Sequence, residues 1–485
     1  MKGVYAWTSI TLLSVLFGIN VYRAATQSIT CDEAFTYRLF VDAPLSAFWT
    51  SFDACNHVLH TLLTRISVQV FGTSEFTLRI PSLLGGVLYF AAVYRISVLL
   101  FGYSRLLLLS VCVLSLNPLV LDFLSASRGY GLALALFLWA LYFSFRYLDS
   151  KVGKQKAGKP DEPRWLRKAG LAAGLSVASN LTLLVPLAAL GGILILLAAR
   201  AGPQDVRKVL FHFGGPAVVT AFLILVVPLR MAERGAFYVG MSTWTESIRE
   251  LVFPSLVHDA ARSPVAALPE GFLPAIYHFA VPALFIGIAA GVAWLKNRDL
   301  LIIGGVLIAS VATLSLLHWT MNVPLPVART GLYLIPIFSL SLLVLLKLAW
   351  NWAPQLRWLT GLGWIFMLAL VIVYGSQIPA RHYAEWQYDS SNREVIQRLA
   401  SNKAVRYPKV NDGITVASNW MLEPGLNFYR ELYGLAWMEP ITRAEIGSGF
   451  DYYVLLEENR EAVKRLDLQI IFEDAFSGVI LARKP

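Results

Sequence analysis

"AGLAAGLSVASNLTLLVPLAALGGILILLAA" (residues 169–199) is the stretch on which the topology turns. About 20 apolar residues cross a bilayer core of ~30 Å, so this run is too long for one comfortable passage. Ser179-Asn180 interrupts it near the middle. The flanking charges decide how often it crosses. Upstream lie Arg146, Lys151, Lys154, Lys156, Lys159, Arg164, Arg167 and Lys168, and downstream a second basic loop runs from 200 to 208. Short loops rich in Lys and Arg stay on the cytoplasmic side. Both flanks are cytoplasmic only if 169–199 crosses twice, and Lys296/Arg298 and Lys347/Arg357 then fall on the same side.

Working outward, spans are expected at roughly 4–22, 80–101, 106–121, 129–148, 169–179, 181–199, 209–230, 275–295, 300–319, 331–349 and 358–378,. That is a polytopic α-helical membrane protein of about eleven transmembrane helices with a cytoplasmic amino terminus. Composition agrees: of 485 residues 56% are hydrophobic and 15% charged, against about 25% charged in ordinary globular domains, and the mean hydropathy is +0.59. The first apolar run is followed by Arg23 and has no convincing small-x-small cleavage site, so it reads as a retained span rather than a signal peptide. The formal charge of +10 sits in loops between apolar runs, which argues against nucleic acid. Three cysteines are too few for a disulfide scaffold,. Cys112 lies in an apolar run and reads as packing, while a bridge between Cys31 and Cys55 stays open.

The opposite, extracytoplasmic side then holds a first loop (23–79), a middle loop (231–274) and a carboxy-terminal tail from about 379. The expected domains are therefore 1–378, transmembrane, and 379–485, a small soluble α/β domain. In the tail, Ser391 and Glu394 have capping-box spacing at a helix start. "GITVAS" and "DYYVLL" read as strands, "REAVKRLD" as a helix, and "QIIFEDAFSGVILARK" as a closing hairpin,.

With this orientation the scarce polar residues gather near one face. Asp32 and Glu33, in "SITCDEAFTYRLFVDA" (28–43), follow the first span. Arg79 stands at the mouth of the second, Asp122 and Arg128 flank the turn between the third and fourth, and His318 and Arg329 bracket a later outer turn. Ionisable groups near apolar segments are expensive and mark function, although they also snorkel at helix ends. Asp32-Glu33 thus reads either as a helix start or as a reaction centre, and the arginines and His318 either as interfacial anchors or as ligand contacts. Removing Arg128 or Arg329 is expected to cost little stability. "NHVLHTLLTRISVQVFG" puts Asn56, His60 and Leu63 on one helical face and Leu59, Leu62, Ile66 and Val70 in an apolar stripe, an interfacial amphipathic helix,. His57 and His60 are three apart and could share a metal, but no third ligand is visible nearby.

"DEAFTY", "NHVLHTLLTRISVQVFGTSEFTLRIPSLLGGVLYF" and "SASRGYGLALALF", in that order, resemble the bacterial membrane glycosyltransferases of family 39, relatives of protein O-mannosyltransferases and of the lipid A aminoarabinose transferase. The match covers about the first 200 residues, and "VARTGLYLIPIF" is similar to a later family segment. The resemblance implies the GT-C fold, a polyprenyl-phosphate-linked sugar as donor, and a general base in the first external loop, here Asp32 with Glu33 beside it. Many relatives read Asn-His-Pro-Pro where this chain has Asn56-His57-Val58-Leu59. The expected activity is transfer of the sugar, with inversion, to an extracytoplasmic glycan, lipid or protein acceptor at the cell (inner) membrane. Asp32 and Glu33 are the catalytic candidates. Arg128, Arg329, His57, His60, Asn56, Asp122, Arg79 and His318 are the candidates for donor phosphate and substrate. Arginine suits a phosphate leaving group because its donors form a fixed fork. No cofactor is expected with certainty, and a divalent cation stays open. The partners expected are the lipid-linked sugar, the acceptor and membrane lipids, without nucleic acid. Rival readings are a lipid or polysaccharide flippase, disfavoured by the absence of repeated spans, and a non-catalytic glycan-binding scaffold.

Overall fold

The computed structural model describes residues 2–153, 162–232, 239–352, 354–406, 413–443 and 446–485. Lys154, Lys156 and Lys159 of the basic loop, and 233–238 of the middle loop, lie outside the described residues. Among those described, nine helices are long and apolar enough to cross a membrane: Lys2–Thr26, Glu75–Phe101, Gly129–Lys151, Leu181–Ala199, Pro203–Leu229, Phe272–Trp294, Arg298–Met321, Leu334–Trp352 and Arg357–Ser376. The other two expected spans fall on helices of a different kind. The 106–121 run is broken into Arg105–Ser115 and Pro118–Phe123, with Asn117 capping the second piece through its side chain to Val120 N. The 169–179 run belongs to Glu162–Ser179, whose first turns carry Arg164, Arg167 and Lys168. Residue 180 ends that helix as expected: Asn180 Oδ1 accepts from Thr182 N and starts the next segment.

The chain forms two compact units. The first comprises 1–20, 51–60 and 81–379, and contains most of the apolar helices. Its helices approach closely where side chains vanish. A Cβ on Gly129 would lie 2.2 Å from Ser179 O and 2.6 Å from His57 Cβ, and one on Gly131 would lie 2.1 Å from Phe123 O. Only glycine permits these approaches.

The second unit comprises 21–50, 61–80 and 380–485. Besides 380–485 it takes in 21–50 and 61–80 around and within the first loop. Its four-stranded sheet has the order β1-β2-β4-β3, with β1 Val416–Ser418, β2 Tyr452–Leu456, β3 Gln469–Asp474 and β4 Val479–Arg483. The β1–β2 pair is parallel and the other two pairs are antiparallel, with a bulge between Ile470 and Phe472. One face of the unit buries Val416, Tyr452, Val454, Val479 and Leu481 together with Val395, Leu426 and Phe428. Ile29, Ala34, Tyr37, Val41 and Leu78 from the first loop belong to the same apolar cluster. The helix expected after Ser391 is present as Asn392–Arg406. Its start is held differently, because the Ser391 hydroxyl bonds Asp474 and Ser477 and Glu394 pairs with Arg398.

The amphipathic helix of the first loop spans Val58–Phe71. His60, Thr61, Thr64 and Ser67 are buried, whereas Ile66, Val70 and Phe71 are exposed. Polar side chains inward and apolar ones outward is the arrangement of a helix that faces lipid.

Candidate active site

In the second unit the acidic pair opens a short helix, Cys31–Thr36. Thr30 is its N-cap and accepts from Glu33 N, while the Glu33 carboxylate accepts from Thr30 N at 2.9 Å. This is a reciprocal capping box, so the helix-start reading holds for Glu33. The same carboxylate is clasped by Arg79, with Nε to Oε1 at 2.9 Å and Nη2 to Oε2 at 2.7 Å, both side chains fully buried. The remaining Arg79 donors reach Ala24 O, Gln27 O and Ser28 O. All five guanidinium N–H groups are therefore engaged by the protein. That corrects the expectation that Arg79 contacts substrate, since a fully satisfied buried guanidinium has no donor left for a phosphate. It also assigns Glu33 to holding the loop. Tyr383 stacks close to both Arg79 and the buried Arg23, whose guanidinium donates to His382 O.

Asp32, at the second position of the helix, is partly buried. A third carboxylate, missed in the sequence, stands nearby: Asp389 Oδ2 accepts from Cys31 N at 2.6 Å and Oδ1 from Asn392 Nδ2 at 2.8 Å. Burial pushes the Asp389 carboxyl well above the ordinary range, and the negative charges of Asp32 and Glu33 push it the same way. The capping-box spacing read from Ser391 gives Asp389 no role, so only the folded tail reveals it.

In the first unit a second polar cluster forms around "NH" of 56–57. Asn56, His57, His60, Arg128 and Asn180 are all buried. Asn180 Oδ1 accepts from the Thr182 backbone N–H, which orients its Nδ2 towards His57 Nδ1 at 3.2 Å. An amide nitrogen only donates, so His57 Nδ1 accepts and the ring proton sits on Nε2. Burial first, then the positive charges of Arg128, His60 and Arg329, hold this imidazole well below its ordinary 6.5, so it is neutral. Its Nε2–H has no hydrogen-bond partner among the described residues, and neither amide atom of Asn56 has one. The ring packs edge-on against Tyr130 at 4.7 Å.

Ser82 Oγ donates its hydroxyl to Ala126 O at 2.6 Å, so His60 Nε2 is the donor to Ser82 Oγ at 2.9 Å. Arg128 donates to Cys55 O at 3.2 Å and is 1% exposed. The expectation that it is a readily removed snorkelling residue is thereby corrected. Asp122 faces His258, which the sequence reading overlooked: Nε2 donates to Asp122 Oδ2 at 2.9 Å, both side chains nearly fully buried. His258 N in turn donates to Gln377 Oε1. Arg329 lies on the turn Ala328–Gly331 and is half-buried. His318 is not part of this cluster as placed by its contacts. Its Nδ1 meets Val323 O at the end of its own helix, which is an anchor geometry.

Asn180 engages His57 and Ser82 engages His60, and no group of three or more His, Cys, Asp or Glu residues is placed to hold a metal among the described residues. The cysteines form no disulfide.

Residues 57–230, which include His57, His60, Asp122, Arg128 and Asn180, match the sequence model of the dolichyl-phosphate-mannose-protein mannosyltransferase family. No curated protein matches the chain by direct sequence comparison. Among solved structures, ArnT from Cupriavidus metallidurans bound to undecaprenyl phosphate aligns over 98% of this chain and 97% of its own, at 13% identity and a TM-score of 0.54. The apo state of the same protein aligns over 98% of both chains, at 15% identity and a TM-score of 0.52. The likeness over the whole length establishes the GT-C fold, and within it residues 57–230 match the mannosyltransferase family model.

Proposed function

We propose that the protein moves a sugar from a polyprenyl-phosphate donor to an acceptor hydroxyl on the extracytoplasmic side of the cell membrane. The carrying observation is the buried, neutral His57 with its Nε2–H unclaimed, beside the unclaimed amide of Asn56 and within the electrostatic reach of Arg128 and Arg329. A buried polar atom without a partner costs about 1–3 kcal/mol. A ligand oxygen supplied by the phosphate or sugar would remove that cost, and cationic side chains around it favour an anion. The structural relative crystallised with undecaprenyl phosphate supports a lipid phosphate as that anion.

In the reaction, Asp32 accepts the proton of the acceptor hydroxyl. The freed oxygen attacks C1 of the sugar, the C1–O bond to the phosphate breaks, and the electron pair leaves on the polyprenyl phosphate. Preorganised donors to the phosphate lower the barrier to that step. A single displacement inverts the configuration at C1. Glu33 supports Asp32 by holding the loop rather than by exchanging protons.

The test is transfer of labelled sugar from polyprenyl phosphate by the purified protein in nanodiscs, with a parallel binding assay for undecaprenyl phosphate. Asp32→Asn should lower turnover by about 10²–10⁴-fold while lipid-phosphate binding persists, and His57→Phe should weaken that binding. No transfer by the wild type with any polyprenyl-phosphate sugar, despite lipid movement across the bilayer, would overturn the enzyme reading in favour of a flippase.

A further inference from the structure

The backbone leading into the proposed base is held largely from outside its own loop. The N–H groups of Ile29, Thr30 and Cys31 each donate to a side chain: Tyr429 Oη at 2.8 Å, Glu33 Oε2 at 2.9 Å and Asp389 Oδ2 at 2.6 Å. Ser28 Oγ adds a bond to Ser390 O at 3.0 Å. Three of these four anchors come from the tail beyond residue 380. Asp389 is the one attached next to Asp32, and it is itself buried and steadied by Asn392. We propose that Asp389 is a positioning residue for catalysis, fixing the first turn of the Cys31–Thr36 helix so that Asp32 is held where it takes the acceptor proton. The tail is then a working part of the enzyme. This inference rests on the reading of Asp32 as the base.

The 2.6 Å bond from Cys31 N to Asp389 fixes that first turn, and misplacing a catalytic group by about 1 Å costs on the order of 10²-fold in rate. Asp389→Ala should therefore lower kcat about 10- to 100-fold, with KM for the polyprenyl-phosphate sugar and binding of undecaprenyl phosphate little changed. Asp389→Asn keeps an oxygen for Cys31 N–H. Asn392 Oδ1, without a hydrogen-bond partner among the described residues, can turn to accept from the new amide. This variant should recover most of the lost kcat.

Cys31→Pro provides an independent arm. Proline suits the first helical position and removes the N–H together with the thiol, for which Cys31→Ala is the control, and Thr30 already has the extended conformation (φ −86°, ψ 158°) that a following proline requires,. It should lower kcat as Asp389→Ala does. In an Asp32→Asn background, Asp389→Ala should add no further loss, because both act through one group. Wild-type kcat in Cys31→Pro, or an undiminished effect of Asp389→Ala in the Asp32→Asn background, would overturn the proposal, and Cys31→Pro decides it if Asp389→Ala does not fold. Full turnover in Asp32→Asn alone would instead overturn the reading of the base, so the two failures are distinguishable.

Discussion

Asp32 and Glu33 are adjacent carboxylates with opposite fates. One position along the helix turns Glu33 into the capping box and against Arg79, fully buried, and leaves Asp32 partly buried beside Asp389. Breaking one side of a buried ion pair strands the other charge, at a cost of about 3–5 kcal/mol. Arg79→Leu and Glu33→Gln should each lower the thermal midpoint in detergent far more than Asp32→Asn does, which a melting series on the three purified variants would show. His57 gives a pH prediction. Its folded value lies below the unfolded 6.5, so below about pH 6.5 the unfolded chain binds a proton that the folded one refuses. Stability is thus lost as pH falls through that window. The fall in melting temperature between pH 7 and 5 should be smaller in His57→Gln than in the wild type.

At the scale of elements, "SRGYG" is where sequence spacing becomes site geometry. Gly129 lets Ser179 O and the His57 side chain approach its Cα, and Gly131 does the same for Phe123 O. Asn180, one residue beyond Ser179, then reaches the His57 ring and sets its tautomer. Gly129→Ala must push backbone and imidazole apart, an overpacking that costs typically about 1–3 kcal/mol. The expected outcome is loss of undecaprenyl-phosphate binding at a temperature where the variant is still folded by circular dichroism. The Val58–Phe71 helix shows how a correct pattern can still conceal roles. Its two stripes were legible from spacing, but that His60 would donate to Ser82 and His57 would keep a donor unclaimed depended on partners in other helices.

At the scale of the molecule, the tail and two pieces of the first loop share one apolar cluster. A chain ended after Pro379 would leave Ile29, Ala34, Tyr37, Val41 and Leu78 without the side chains that cover them, and would lose the Tyr429 and Asp389 anchors. Such a truncation should aggregate or expose the 28–43 segment to protease, and transfer no sugar. The tail and first loop must also lie on one side of the membrane, as the positive-inside pattern predicts. A reporter fused after Pro485 should be active only outside the cytoplasm.

Composition, the lengths of the apolar runs and the placement of basic residues determined by themselves that this is a many-helix membrane protein, because a bilayer sorts residues by polarity over short, local stretches. Turn and strand chemistry in the tail was local in the same sense, and β1 to β4 lie where their sequences predict. The division of labour between Asp32, Glu33, Arg79, Asp389, Asp122 and His258 was decided only by tertiary structure. Whether a charged side chain meets a ligand or is consumed by the protein depends on which donors and acceptors the fold brings within about 3 Å. For Glu33 and Arg79 that partner is 46 residues away, for Asp122 and His258 136, and for Cys31 and Asp389 358. Spacing along the chain carries no information at those separations.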